Sequence, residues 1–341
     1  MSPKAPAASR RVRAAIGILA VTVAGLSTFA VFGLAAGRPD VPVVDLWSVL
    51  SGAGDERVRI ALVDLRAPRL VLALLAGAAL GLAGALLQDG LRNPIAAPEL
   101  LGVSNGCAVV VAAIAILGLP VPRAAVTPMA LAGGMAVGAV AILVGMRLRS
   151  TVAQVLCGLA FSSVLSGAIV ALVTLGAPAN AGLLYQFLLG SLANRGWADV
   201  QILVIWCAVA VPAALVLARS LNVLRLGDDA AATLGIAVLR TRIAVLAVAS
   251  LLTAAVVAVC GPIGFVALVA PHLVRSMLGT VDARWVLPMA AAVGALVLVA
   301  ADQTARMIAD PRELAAGMVT ALVGAPLLVA MLQWRRMSVL S

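Results

Sequence analysis

Residues 66–106 read RAPRLVLALLAGAALGLAGALLQDGLRNPIAAPELLGVSNG. From Leu70 to Gln88 the chain carries no charge, and as a helix those 19 residues span about 28 Å, the depth of a bilayer's hydrocarbon. Gly77, Gly81 and Gly84 follow at spacings of four and three, on one face. Lipid gives helices no hydrophobic reason to associate, so small residues that admit a neighbouring backbone supply the packing. Packing is therefore favoured over pore lining for these glycines. Downstream, Asn93-Pro94 and Pro98-Glu99 make a tight turn, with Pro98 expected in the first turn of the next helix and Glu99 at its positive end.

The composition extends this reading to the whole chain. Of 341 residues, 63% are hydrophobic, 11% charged and 3% aromatic. Ordinary globular chains are about 45–50% apolar and about 25% charged, so soluble, disordered and fibrous classes are excluded. At about 20 residues per crossing there is apolar sequence for on the order of ten helices and little for a soluble domain. Charges, prolines and glycines divide it into spans at 14–36, 68–88, 99–118, 124–146, 152–174, 198–218, 240–260, 263–275, 285–305 and 314–334. The expected fold is thus all-α and polytopic, a single membrane domain over 14–334 with tails at 1–13 and 335–341. Two uncharged runs, Ser150–Asn194 and Ile243–Val274, are too long for one crossing and are broken at Pro178 and at Gly261-Pro262. Ala179–Asn194 then reads as an interfacial helix or re-entrant segment, with Tyr185 and Trp197 as interface anchors. Arg10, Arg11 and Arg13 precede an uncharged run, Ala14–Gly37, that imitates a secretory signal ending near Ala35 and Ala36. It is too long for a signal core, so a retained first helix is expected.

Basic residues set the orientation. Of the 24 Lys and Arg, 15 fall on the side of the N-terminus, which favours both termini inside. They stand singly among apolar runs, so nucleic-acid binding is not indicated. Arg57, Arg59, Arg66 and Arg69 crowd an outer loop end against this rule.

Most chemistry is excluded by residue type. Lys4 is the only lysine, so no G-x-x-x-x-G-K-[ST] phosphate loop exists and any ATPase must be a partner. His272 is the only histidine, no G-x-S-x-G occurs, and Cys107, Cys157, Cys207 and Cys260 stand 50 or more residues apart, as small core residues would. A structural hydrogen-bonding role is favoured for His272. Asp302, near the outer end of span nine, is the main acid inside a span and the one candidate for an ion-coupled secondary transporter.

The longest inner loop, 219–240, holds Leu221-Asn222-Val223-Leu224-Arg225-Leu226-Gly227-Asp228-Asp229-Ala230-Ala231-Ala232-Thr233-Leu234-Gly235. Asp228 and Asp229 can cap a short helix with a small Ala face, ended by Gly235; an ordinary connector reads equally well. Asp229-Ala230-Ala231-x-x-x-Gly235 resembles the E-A-A-x-x-x-G element of ATP-binding-cassette importer permeases. Arg66-Ala67-Pro68-Arg69, Leu75 to Gln88 and Arg92-Asn93-Pro94 to Gly106 closely resemble the FecCD family of iron-chelate and cobalamin importer permeases. So do Leu189-Gly190-Ser191-Leu192, Gly261-Pro262-Ile263-Gly264-Phe265-Val266 to Arg275, and Pro311-Arg312-Glu313-Leu314 to Pro326. Ala97, Ala267 and Ala283 depart from the family's usual Asp, Gly and His.

The resemblance implies a type II importer permease in a bacterial plasma or inner membrane. A second permease subunit, identical or paralogous, two cytoplasmic ATPases holding ATP and Mg2+, and an external binding protein would complete it. The cargo would be a ferric siderophore or related iron chelate, with cobalamin or haem as the alternative. It implies coupling to the ATPase through Gly227, Asp228, Asp229, Ala230, Ala231 and Gly235, and binding-protein docking through Arg66, Arg69 and Arg306. This chain itself would perform no covalent chemistry and hold no cofactor or metal.

Overall fold

A computed structural model of the chain describes residues 7–35, 41–43, 46–51, 55–147, 151–175, 181–308 and 313–340. The helices in order are α1 Ala7–Ala35, α2 Leu46–Leu50, α3 Glu56–Ile60, α4 Ala67–Gly90, α5 Val103–Ile116, α6 Arg123–Arg147, α7 Thr151–Leu175 and α8 Ala181–Leu188. They continue as α9 Trp197–Val216, α10 Ala218–Leu224, α11 Asp228–Thr233, α12 Val238–Cys260, α13 Val266–Leu278, α14 Ala283–Ile308 and α15 Ala316–Leu340. Among the described residues, seven helical runs are long and apolar enough to cross a membrane, and Val103–Ile116, Val266–Leu278 and Ala316–Ala330 are shorter apolar helices. The protein is a helical, multi-pass membrane protein.

The centre of the bundle is α4. From Ala76 to Gly90 all its residues but Ala78 are buried, between α12, α13 and α14. A β-carbon at Gly81 would overlap the carbonyl of Ala290 on α14, and one at Gly84 the carbonyl of Ala267 on α13. The spacing expected for helix packing is thus used for backbone-to-backbone contact. Upstream, Ala61–Arg66 forms a π-helical turn that runs directly into α4. Pro68, without an N–H, removes the α-helical bond to Asp64 and leaves the chain free to widen there.

The expectations for the third span and for Glu99 change. The third span, placed at 99–118, is interrupted: Pro98–Leu101 is a separate 3-10 turn, Gly102 takes φ +71°, and only then does α5 begin, with 14 residues. Glu99 therefore does not sit in the first turn of α5. Both expected tails are helical over their described parts, since α1 starts at Ala7 and α15 runs to Leu340. Gly261 ends α12 at φ +76°, as its Gly-Pro pair foretold, whereas Pro178 lies outside the described residues. The 179–194 segment contains α8, whose Leu184 and Phe187 are buried and whose end rests on the Gly261-Pro262 turn. Tyr185 is exposed, and the Trp197 indole donates to the Val63 carbonyl at 2.9 Å. Cys107, Cys207 and Cys260 are buried, Cys157 is half-buried, and His272 is buried on α13.

Candidate functional site: two charged ends of one bundle

At the first end, α11 stands proud of the membrane helices. Gly227 precedes it at φ +111°, a conformation that suits glycine, and no side chain caps it. Asp228 and Asp229 are thus its first residues rather than its caps. Its other end closes as expected: Gly235 sits at φ +81°, and the Ile236 N–H reaches back to the Ala231 carbonyl at 3.0 Å. Only Ala231 is buried; Asp229, Ala232, Thr233 and Gly235 are exposed. Leu226, Leu234 and Leu239 flank them with their side chains in solvent, at 64%, 62% and 56% exposure. These three leucines form an apolar rim beside the exposed face of α11, a candidate for protein contact.

Asp228 is spent on its neighbours. Arg92, just beyond α4, donates to its Oδ1 at 2.7 Å, and Arg242 of α12 donates at 2.9 Å and 3.3 Å to its two oxygens. The hydrogen bonds from Arg242, with the charges of Arg242 and Arg92, hold the Asp228 carboxyl below its usual range. Deeper lies Asp89, the penultimate residue of α4, 3% exposed. Its Oδ1 accepts from Arg225 after α10 at 2.6 Å and from Arg275 of α13 at 3.0 Å. Arg275 also holds the Gln88 side-chain oxygen, and the Gln88 amide nitrogen lies 3.4 Å from the Ala267 and Leu268 carbonyls. Asn222 of α10 donates to Asp282 at 2.6 Å and accepts from the Ala283 N–H at 2.7 Å. The α10–α11 segment is consequently bolted to α4, α12, α13 and α14. In the sequence Arg92, Arg225 and Arg275 stood in quoted motifs without a role assigned to them and Asp89 and Arg242 were not singled out; the signal for Asp89 was an acid directly after an uncharged span.

The opposite end carries the arginines expected to dock a partner, and each of them makes contacts within the bundle. Arg69 points inward: Nε and Nη2 each lie 2.9 Å from an oxygen of Asp302, and Nη1 lies 2.6 Å from Glu313. Its side chain is 11% exposed and that of Asp302 1%, and a charge buried to this extent costs less when paired than alone. Arg66 donates to the Leu34 and Ala35 carbonyls at the end of α1, at 2.5 Å and 3.2 Å. Arg306 donates to the Gly33 carbonyl and the Gln303 side chain, both at 3.2 Å. All three tie α1, α4 and α14 together. Arg57 and Arg59 on α3 are exposed, as is Arg123 at the start of α6, and Arg312 lies outside the described residues.

Comparison with known proteins agrees with this architecture. The chain is 38% identical over 280 residues to the Fe(3+) dicitrate transport system permease protein FecD of Escherichia coli, covering 82% of this chain and 87% of that one. It is 36% identical over 324 residues to the Fe(3+)-citrate import system permease protein YfmE of Bacillus subtilis, covering 94% and 95%. Over 288 residues it is 38% identical to the cobalamin import system permease protein BtuC of Halobacterium salinarum, covering 84% and 76%. A solved structure, described as a metal-chelate type ABC transporter in an inward-facing conformation, superposes with a TM-score of 0.82 at 26% identity, over 93% of this chain and 99% of that one. The sequence profile of the FecCD transport family matches residues 18–334, so this chain belongs to the FecCD transport family.

Proposed function

We propose that the chain is the permease subunit of an ATP-driven importer of the type II class, carrying a ferric siderophore or related iron chelate across a bacterial inner membrane. The observation that carries this is α11: a short, largely exposed helix with an apolar rim, held through Asp228 by salt bridges to Arg92 beyond α4 and to Arg242 of α12, in a chain that cannot bind ATP through a phosphate loop. On this reading ten helices cross the membrane with both termini inside. A second permease, identical or paralogous, faces this one, and two ATPases carrying ATP and Mg2+ press on Gly227 to Gly235. A binding protein delivers the chelate from outside.

The dock for that binding protein moves from Arg66, Arg69 and Arg306 to Arg57 and Arg59, whose side chains face solvent at the same end. Rim charges act mainly on association rate. The double variant Arg57→Glu/Arg59→Glu should slow binding-protein association at least tenfold at low salt, with the deficit shrinking at 1 M salt. An unchanged association rate by surface plasmon resonance would remove the dock from α3.

The whole reading is tested by uptake of radioactive iron, as a panel of ferric chelates, into proteoliposomes holding the assembled transporter with the binding protein outside. Strict dependence on internal ATP and on the binding protein is expected. Uptake that instead followed a proton or sodium gradient would sink it. A second reading, a cobalamin importer, is favoured by the 38% identity to the Halobacterium cobalamin permease. ATP-driven cobalamin uptake without iron uptake would select it.

A further inference from the structure

Two non-helical turns meet inside the membrane region, and a carboxylate stands between them. The first is Leu91–Gly102, which closes with the Pro98–Leu101 3-10 turn. The second is Gly261–Phe265, between α12 and α13. Their depth follows from α7: the hydroxyl of Ser162, twelfth of its 25 residues, donates to the Glu99 carbonyl at 3.1 Å. At 1.5 Å per residue that point lies about 17 Å from one helix end and about 20 Å from the other, near the middle of a helix long enough to span a bilayer. The Leu100 carbonyl presses on Gly158 of the same helix, so the turn is wedged there. Irregular backbone at such depth is tolerated only where protein covers it or where it borders water.

Among the described residues no cation faces the Glu99 carboxylate. Arg69, Arg92, Arg225, Arg242 and Arg275 are paired with Asp302, Glu313, Asp228 and Asp89 at the two ends of the bundle. Glu99 is half-buried, and what its Oε1 meets across the gap is Gly264, 3.8 Å from where a β-carbon would stand. Other polar groups share this level: the Asn105 amide donates to the Ser162 carbonyl at 2.9 Å and to the Ser166 hydroxyl at 3.2 Å. An ionisable group in mid-membrane faces a bundle interior or a watery cavity, since lipid is too costly. Among the described residues Glu99 has no cation beside it and is hydrogen-bonded to its own backbone, while its half-buried side chain keeps one side open.

We propose that Glu99, facing Gly264, is a specificity-determining site on the translocation path, one that takes a hydrogen-bond-donating or cationic group of the chelate. It rests on the importer reading above and names the cargo class: chelates bearing ammonium, hydroxyl or amide donors, rather than the polycarboxylate complexes for which two of the relatives are named. The missing side chain at Gly264 leaves room for the donor to approach, and the carboxylate rejects a cargo that presents carboxylates of its own.

The test uses the assembled transporter in proteoliposomes. A ferric trihydroxamate bearing a free ammonium group, its N-acetylated derivative and ferric citrate are compared in wild type and in Glu99→Gln. The expected result is a tenfold or greater fall in uptake of the ammonium-bearing chelate relative to its acetylated form, with ferric citrate uptake unchanged or raised. Equal effects on all three would overturn the specificity role. Placement is read separately by labelling Glu99→Cys with a cationic, water-soluble methanethiosulfonate, against the unsubstituted chain as background. Rapid labelling, at least tenfold above background, is expected, and its absence would overturn the proposal whichever cargo is carried. If wild type imports no ferric chelate under ATP, the importer reading fails instead, and the labelling still decides whether Glu99 faces water.

Discussion

Replacing Arg69 with Ala should cost the folded protein about 3–5 kcal/mol, the penalty for leaving a buried charge without its partner. Asp302 is 1% exposed, and both its oxygens are held by Arg69. Glu313, at 45% exposure, can be solvated when the guanidinium goes; Asp302 cannot. Thermal unfolding of the purified protein in lipid nanodiscs would measure the loss. The double variant Arg69→Met/Asp302→Leu should recover most of it, because an apolar pair of similar volume removes both desolvation costs. A single variant as stable as wild type would show that Asp302 finds another partner and that this cluster does not hold α4 to α14.

Asp89→Ala should reduce ATP-driven uptake about tenfold or more, equivalent to about 1.4 kcal/mol in the coupling of the two ends, while ATP hydrolysis by the assembled complex continues. Asp89 joins Arg225, beside α11, to Arg275 on α13 from a position at the end of α4. Without it the two guanidiniums repel each other at the base of the element on which the ATPase is proposed to push. Part of any loss will be stability, so a second variant is needed. Asp228→Asn touches a carboxylate whose side chain is 44% exposed, where ion pairs contribute under about 1 kcal/mol, yet it loosens the same segment from α4 and α12. It should show the same direction of uncoupling in a fully folded protein. Uptake and hydrolysis falling together in both variants would refute a transmission role, and a double-mutant cycle with Arg242 would locate the coupling.

Several features were open to reading in the chain alone. The absence of charge marked α4 as a membrane span, since nineteen uncharged residues between Arg69 and Asp89 have one comfortable solvent. The glycine spacing predicted a close helix contact, and Gly77, Gly81 and Gly294 make it. The Gly261-Pro262 break and the Gly235 terminus of α11 also came from local rules, because a positive φ or a missing N–H acts on the residue itself. Glu99 did not: Pro98-Glu99 fits a helix start in sequence, and only the wedge of the turn against Ser162 and Gly158 separates it from α5.

The arginines show most clearly where sequence stops. Composition and order determined that this is a polytopic helical membrane protein, that it cannot bind ATP through a phosphate loop of its own, and that basic residues cluster at two ends. Those are sums over the chain or properties of neighbours along it. Whether Arg69 faces a partner protein or Asp302, 233 residues away, was decided by helix packing alone. The Arg225–Asp89 pair, 136 residues apart, was decided in the same way. A charge in a membrane must find an opposite charge or water, and which it finds depends on tertiary proximity that no local pattern encodes.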